Sequence, residues 1–126
     1  ILLTYKKYSF LFTCDLDQSG ERKMFFNLNN CFSSSSAEAI NNSLKDLTVL
    51  KVSHHGSNTG SSEMFLKKVS PVYSIISVGE KNKYNLPNSE AMSRIKKYSK
   101  YILRTDDSGS IKFDISEDGF EVKKER

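Results

Sequence analysis

The stretch LTVLKVSHHGS, residues 47–57, combines an apolar run with a polar break and gives the clearest indication of the fold. Its first seven residues form a short apolar run, which is typical of a strand buried on both faces. The run ends at His54-His55-Gly56-Ser57, which holds both histidines of the chain. In layered α/β folds, ligands bind at the loops that follow the carboxyl ends of strands, so this break is a candidate site.

The sequence before this stretch predicts a β-hairpin followed by a helix. Residues 1–5 and 8–14 are rich in aromatic and β-branched side chains, so they predict two strands that end at Asp15. Apolar residues at helical spacing between 20 and 32 predict an amphipathic helix that covers the sheet. Residues 33–46 open with a serine run and are weakly patterned, so they predict a mobile loop with at most a short helix.

The sequence after this stretch alternates helix and strand patterns. Pro71 ends the first predicted helix, and Asn88 or Ser89 caps the second. This alternation predicts an α/β layered architecture. The predicted elements are a helix over 62–69, a strand over 72–78, a helix from 88 or 89 to 98, and strands over 101–104, 111–115 and 120–123.

Composition excludes several classes of protein. The net charge of +4 comes from basic and acidic residues that are interspersed along the chain, so the lysine pairs predict solvated surfaces and not a nucleic-acid groove. No apolar run approaches the ~20 residues of a membrane-spanning helix. Two cysteines are too few for a disulfide framework, and Cys14, at the end of an apolar strand, is expected to be buried and inert.

Three polar clusters follow predicted strands and are expected to converge on one site. They contain Asp15, the pair His54 and His55, and the loop 82–84. A carboxylate and a neutral imidazole are ligands that Zn²⁺, Mn²⁺ and Fe²⁺ accept. The residues alone leave the alternative open, because an aspartate such as Asp15 is more often a turn or cap residue, and a His-His pair is more often part of a hydrogen-bonded loop than a pair of ligands.

Four segments in this order resemble the closing motifs of ComEC-type metallo-β-lactamase domains. The resemblance covers nearly the whole chain. It implies half of a four-layer αββα sandwich, in which residues 1–126 form the C-terminal portion. The segments are LFTCDLDQSGE (11–21), VLKVSHHGSNTGSSEMF (49–65), PVYSIISVGEKNKYNLPN (71–88) and YILRTDDSGSIKF (101–113).

The resemblance also implies a function and a set of site residues. It implies metal-dependent hydrolysis of phosphodiesters, as in a nuclease of DNA uptake, with two Zn²⁺ or Mn²⁺ ions in the complete domain. Asp15 matches an aspartate that bridges metals, His54 matches a late histidine ligand, and His55 is expected to act in catalysis. The expected partner is the N-terminal half with a His-x-His-x-Asp-His motif, which this chain lacks. Substrate contacts are expected from Ser57, Asn82, Lys83 and Tyr84.

Two positions depart from the family pattern. Cys14 replaces the usual glycine before the aspartate, and Leu86 replaces a histidine in the asparagine-rich loop. Leucine neither binds a metal ion nor transfers a proton, so the site has altered specificity or reduced activity if that histidine acts on substrate. The alternative function is a degenerate or isolated half-domain that binds a partner chain or nucleic acid without catalysis. A free-standing fold without metal is the third interpretation, and it requires cover for the hairpin within the chain.

Overall fold

A computed structural model describes residues 1–31 and 33–126 of the chain. Strands and helices alternate along it, which confirms the mixed α/β class. The strands are β1 (Leu2–Tyr5), β2 (Tyr8–Phe12), β3 (Val49–Lys51), β4 (Tyr73–Ile76), β5 (Tyr101–Arg104), β6 (Ile111–Ile115) and β7 (Phe120–Lys124). The helices are α1 (Gln18–Cys31), α2 (Ser34–Leu44), α3 (Glu63–Val69), α4 (Ser89–Tyr98) and the short α5 (Thr105–Ser108), with a 3₁₀ turn at Ser53–Gly56.

Five strands form one sheet in the order β1-β2-β3-β4-β5. The predicted hairpin is present, because β1 pairs antiparallel with β2. The pairs β2–β3, β3–β4 and β4–β5 are all parallel. The carboxyl ends of β2, β3 and β4 therefore lie at one edge of the sheet, where the three polar clusters follow them.

The two faces of the sheet have different cover. On one face the four longer helices bury the main core, which includes Leu11, Leu50, Phe65 and Ile95. On the other face the hairpin β6–β7 packs its apolar side chains over the middle strands. That second face remains open towards β1, because the hairpin covers only part of it. The exposed large apolar side chains on and beside the first two strands are Ile1, Leu3, Tyr5 and Phe12.

The segment predicted as a mobile loop is instead the helix α2, so that prediction is wrong. The Ser33 hydroxyl accepts a hydrogen bond from the amide of Ser36, which caps the first turn. Ala37 and Leu44 are buried on the face that meets the core, and Ile40 packs beside them. The four apolar residues of α2 stand among many polar ones and give too weak a periodicity to predict a helix, yet the burial of three of them stabilises one.

The other predicted elements agree with the structure to within a few residues. The amphipathic helix is α1, although Phe32, at the end of its predicted stripe, lies outside the described residues. Asn88 caps α4 by accepting hydrogen bonds from the amides of Glu90 and Ala91. In the described ranges 1–31 and 33–126, every helix is too short or too polar to cross a membrane.

Candidate functional site at the strand carboxyl ends

The first part of the site is the turn after β2. The Thr13 hydroxyl donates to the carbonyl of Lys51 at 2.6 Å, and the amide of His54 donates to the carbonyl of Cys14 at 2.8 Å. These two bonds join the carboxyl end of β2 to that of β3. The prediction of a buried Cys14 is wrong, because its thiol is exposed and free. Its φ is 48°, a left-handed conformation that favours glycine.

Asp15 stands in this turn with its carboxylate free. Asp17, two residues later, is the one that caps α1, because its Oδ1 accepts a hydrogen bond from the Gly20 amide at 2.7 Å. Within the described residues, no hydrogen bond engages the Asp15 side chain, and the residue is exposed. The capping role that the sequence left open for Asp15 therefore belongs to Asp17.

The second part of the site is the turn after β3, whose backbone is strained. His54 and His55 both adopt left-handed conformations, with φ and ψ of 47° and 45° and of 55° and 26°. Gly56 follows with φ of 80°, and a Cβ at Gly56 would lie 2.6 Å from the Cβ of Pro87. A left-handed conformation costs a residue with a side chain about 1–2 kcal/mol. Holding both imidazoles in this turn therefore reduces the stability of the fold.

The two imidazole rings are oriented by hydrogen bonds at Nδ1. Nδ1 of His55 lies 2.6 Å from the carbonyl oxygen of Ser77. A carbonyl only accepts, so Nδ1 carries the proton and Nε2 of His55 is left with its lone pair. Nδ1 of His54 lies 3.3 Å from the hydroxyl of Thr59, which either donates or accepts. A histidine held through Nδ1 by a carbonyl is the arrangement that directs Nε2 towards a metal ion or a proton.

Two charged side chains that the sequence did not identify hold the loop that carries Thr59. The buried carboxylate of Glu21 accepts hydrogen bonds from the amides of Ser61 and Ser62 at 2.6 and 3.0 Å. On the other side, the guanidinium of Arg94 donates to the carbonyls of residues 58, 60 and 61. Both residues lie on helices at positions without a local motif, so only the tertiary structure reveals their role.

The two turns open onto one cavity of about 470 Å³, which we call the strand-end cavity. The expected convergence of the three clusters is thus present for Asp15, the two histidines and part of the third loop. The residues that line the strand-end cavity are Asp15, His54, His55, Ser57, Tyr84 and Leu86.

Two of the predicted substrate-binding residues lie outside the strand-end cavity. The amide of Asn82 is used within its own loop, because it donates to the carbonyls of Gly79 and Leu86 and accepts from the amide of Leu86. The ammonium of Lys83 lies 5.1 Å from the ring centroid of Tyr84. Asn82 therefore shapes the loop, while the contact of either residue with substrate stays a prediction.

Lys51 places a cation beside the turn after β2. Its Nζ donates to the carbonyl of Val52 at 3.0 Å, and the side chain is half-buried. Burial lowers the pKa of the Lys51 amine, while the negative charges of Cys14 and Asp15 oppose that shift.

The donor atoms of this turn suit a divalent ion but form an incomplete set. Oxygen from Asp15 and nitrogen from His54 and His55 are donors that Zn²⁺ and Mn²⁺ accept. Among the described residues, however, no group of three or more histidine, cysteine, aspartate or glutamate side chains is arranged to hold a metal ion. The residues fit part of a metal site, and a closed coordination sphere requires further ligands.

Comparisons with known proteins identify relatives that are much longer than this chain. It is 40% identical over 78 residues to Competence protein ComA of Neisseria gonorrhoeae, covering 62% of the chain and 11% of that protein. It is 32% identical over 105 residues to ComE operon protein 3 of Bacillus subtilis, covering 83% of the chain and 12% of that protein. It is also 35% identical over 83 residues to Recombination protein 2 of Haemophilus influenzae, covering 66% of the chain and 10% of that protein.

No family model matches the chain. No solved structure gives a significant match either. The chain spans about a tenth of the length of the curated relatives that it matches. Its homologues are competence proteins, and it corresponds to one segment of them.

Proposed function

We propose that this chain is part of a metal-dependent phosphodiester hydrolase that acts on DNA during competence. Homologues that are competence proteins support a role in competence. The observation that carries the hydrolase proposal is the strand-end cavity. There the carboxylate that follows β2 meets the two imidazoles that follow β3. The quoted motifs, which resemble those of ComEC-type metallo-β-lactamase domains, add the reaction class.

In this proposal Asp15 and His54 hold the metal. Asp15 supplies a carboxylate with no competing hydrogen bond in the described structure, and His54 supplies Nε2 if Thr59 accepts the proton of Nδ1. A bound divalent ion polarises a phosphoryl oxygen and makes a water molecule acidic enough to attack near neutral pH.

His55 is the proposed catalytic residue. It lines the strand-end cavity, and its Nδ1 is fixed as a donor to the carbonyl of Ser77, so Nε2 accepts a proton from, or returns one to, a substrate oxygen. The bond to Ser77 also stabilises the positive charge that the ring carries after it accepts a proton. Ser57 lines the same cavity, and in this proposal its hydroxyl, which accepts a hydrogen bond from the Thr59 amide, donates to a phosphate oxygen.

The remaining ligands come, we propose, from a second half of the same fold that covers the open face of the sheet. Ile1 and Leu3 are exposed by 84% and 54%, and Tyr5 and Phe12 by 43% and 41%. Together they form an apolar patch next to the turn that carries Asp15, which is the kind of surface that another protein layer covers. A second layer packed there would bring its own ligands to the same edge of the sheet.

The test is hydrolysis of a phosphodiester by the full-length protein with Mn²⁺ or Zn²⁺, before and after chelation. We expect Asp15→Ala to abolish turnover, because it removes a ligand and the charge that supports the activated water. The matched control is Asp118→Ala, which removes an exposed carboxylate from the turn between β6 and β7. Thermal melts establish that both variants remain folded.

Leu86→His provides a second measurement on the same protein. Leu86 lines the strand-end cavity, so an imidazole there adds a donor next to the substrate, and we expect turnover to be unchanged or higher. Full activity in a folded Asp15→Ala variant contradicts the assigned ligand. Absence of hydrolysis by the wild-type protein on DNA, RNA and small diesters favours the alternative, in which the domain binds a partner chain or nucleic acid without catalysis.

A further inference from the structure

A smaller cavity adjoins the strand-end cavity, and we call it the side cavity. Its volume is about 200 Å³, below the range of roughly 300–1,000 Å³ that encloses a complete small-molecule ligand. It therefore suits one part of a ligand whose remainder lies elsewhere. The side cavity is lined by His55, Val78, Gly79, Asn82, Tyr84 and Leu86, of which His55, Tyr84 and Leu86 also line the strand-end cavity.

The walls of the side cavity are suited to a flat ring. Val78 and Leu86 are apolar and pack against the main core, while a Cβ built on Gly79 would meet open space. The three hydrogen bonds of Asn82 fix the backbone between residues 79 and 86, so the cavity exists before a ligand enters. A preformed apolar slot with an aromatic side is a stacking platform for a ring.

Tyr84 is the aromatic side of this slot. Its side chain is 69% exposed. Among residues 1–31 and 33–126, no other large apolar side chain that is exposed lines either cavity. Of the other exposed large apolar residues, Tyr101 stacks on Tyr73 at the β5 edge, and the rest lie near β1 and β2 or on helix surfaces. An aromatic ring that borders a cavity without packing in the core is available for a ligand.

Charge on the same loop favours an anionic ligand. Lys81 and Lys83 belong to the loop that carries Asn82 and Tyr84, and the Lys83 ammonium lies 5.1 Å from the ring centroid of Tyr84. In the described part of the chain, neither ammonium takes part in a salt bridge, whereas Glu80 on this loop lies 3.9 Å from Arg126. A slot for a flat ring on a loop that carries these two cations matches a nucleobase joined to its phosphate, whereas an acyl chain would use only the apolar walls.

We propose that the side cavity receives one nucleobase of the substrate, stacked on Tyr84 between Val78 and Leu86. The phosphodiester next to that base would then lie in the strand-end cavity with Asp15 and His54. His55 borders both cavities, so it lies between the base and this phosphodiester. This inference rests on the proposed function and names its substrate as a nucleic acid. A base enters the slot only when it is unpaired and unstacked, which costs energy in a duplex, so single-stranded nucleic acid is the preferred substrate.

The test is binding of a fluorescein-labelled twelve-residue oligothymidylate by the full-length protein in EDTA, followed by anisotropy. An oligomer of equal length and charge with abasic residues reports the contribution of the backbone alone. We expect the thymidylate to bind about 5- to 100-fold more tightly than the abasic oligomer, as for one stacked base. Tyr84→Ala should remove most of that preference, and Tyr84→Phe should keep it.

Phe26→Ala is the matched control, because Phe26 is 66% exposed on α1 and borders neither cavity. We expect it to bind both oligomers as the wild-type protein does. Equal binding of the two oligomers by the wild-type protein, or a preference that survives Tyr84→Ala, overturns the inference. So does binding of a blunt duplex as tightly as the single strand. Failure of the proposed function is separate, since it appears as absent hydrolysis with Mn²⁺ whatever the oligomers show in EDTA.

Discussion

Because the turn after β3 is strained, we predict that glycine at positions 54 and 55 gives a more stable protein than alanine, the reverse of their order in a helix. We compare the double variant His54→Gly/His55→Gly with His54→Ala/His55→Ala, so that both lose the same imidazoles and the same hydrogen bonds. Glycine relieves the left-handed conformation by about 1–2 kcal/mol per residue. It loses about 0.5–1 kcal/mol per residue through the greater freedom of the unfolded chain. The difference is about 0.7 kcal/mol per position, or about 1.4 kcal/mol for the pair.

Urea unfolding of the two variants measures this difference as a shift in midpoint at constant slope. The control position is Lys96, which is exposed in the right-handed helix α4. There, Lys96→Gly should be about 1 kcal/mol less stable than Lys96→Ala. If the alanine pair at 54 and 55 is as stable as the glycine pair or more stable, the left-handed conformations are not those of the folded chain in solution, and the strain argument fails.

Three further predictions concern the support of the site and its metal. Glu21→Gln should lower the free energy of unfolding by about 2–3 kcal/mol, because it weakens two hydrogen bonds to a buried carboxylate. Urea unfolding should show little change for the control Glu38→Gln, which lies on an exposed face of α2. The hydrogen bond from the Arg104 guanidinium lowers the pKa of the Asp106 carboxyl, so Asp106→Asn should reduce stability by about 1 kcal/mol at neutral pH. Thermal melts should show this loss of stability vanishing as the pH falls below about 4 and through the pKa of Asp106 in the folded protein. In titration calorimetry the isolated chain should take up Zn²⁺ weakly, and tight stoichiometric uptake that survives His54→Ala contradicts the assigned ligand.

The sequence predicted the elements that carry strong local patterns. The strands β3 and β4 are short apolar runs followed by polar loops, and α4 has both an asparagine cap and an apolar stripe, so their placement follows from residues close in the chain. Helix α2 was missed because its stability comes from burying Ala37 and Leu44 against elements distant in sequence. Cys14 was misassigned for a related reason, since the alternation of a strand does not report that β2 ends at Phe12.

The position of the candidate site was predictable, whereas its support was not. Asp15 and His54 follow strands that pair in parallel, so their meeting at one edge follows from the order of elements. The bonds from Glu21 and Arg94 to the loop 58–62 join positions more than 30 residues apart, and no local motif marks either residue. Long-range hydrogen bonds of this kind are visible only after the helices have packed.

The strained turn persists because three separate parts of the fold hold its backbone. The amide of His54 donates to Cys14 after β2, the amide of Ser57 closes the turn on His54, and the amide of Asn88 before α4 donates to Gly56. Each bond depends on a different element, so the left-handed conformations require β2, β3 and α4 to be docked together. Local opening of α4 alone would release the strain before the sheet unfolds. The imidazoles therefore occupy the strand-end cavity only in the fully packed domain, and loss of their geometry is the first expected consequence of a destabilising change anywhere around the turn.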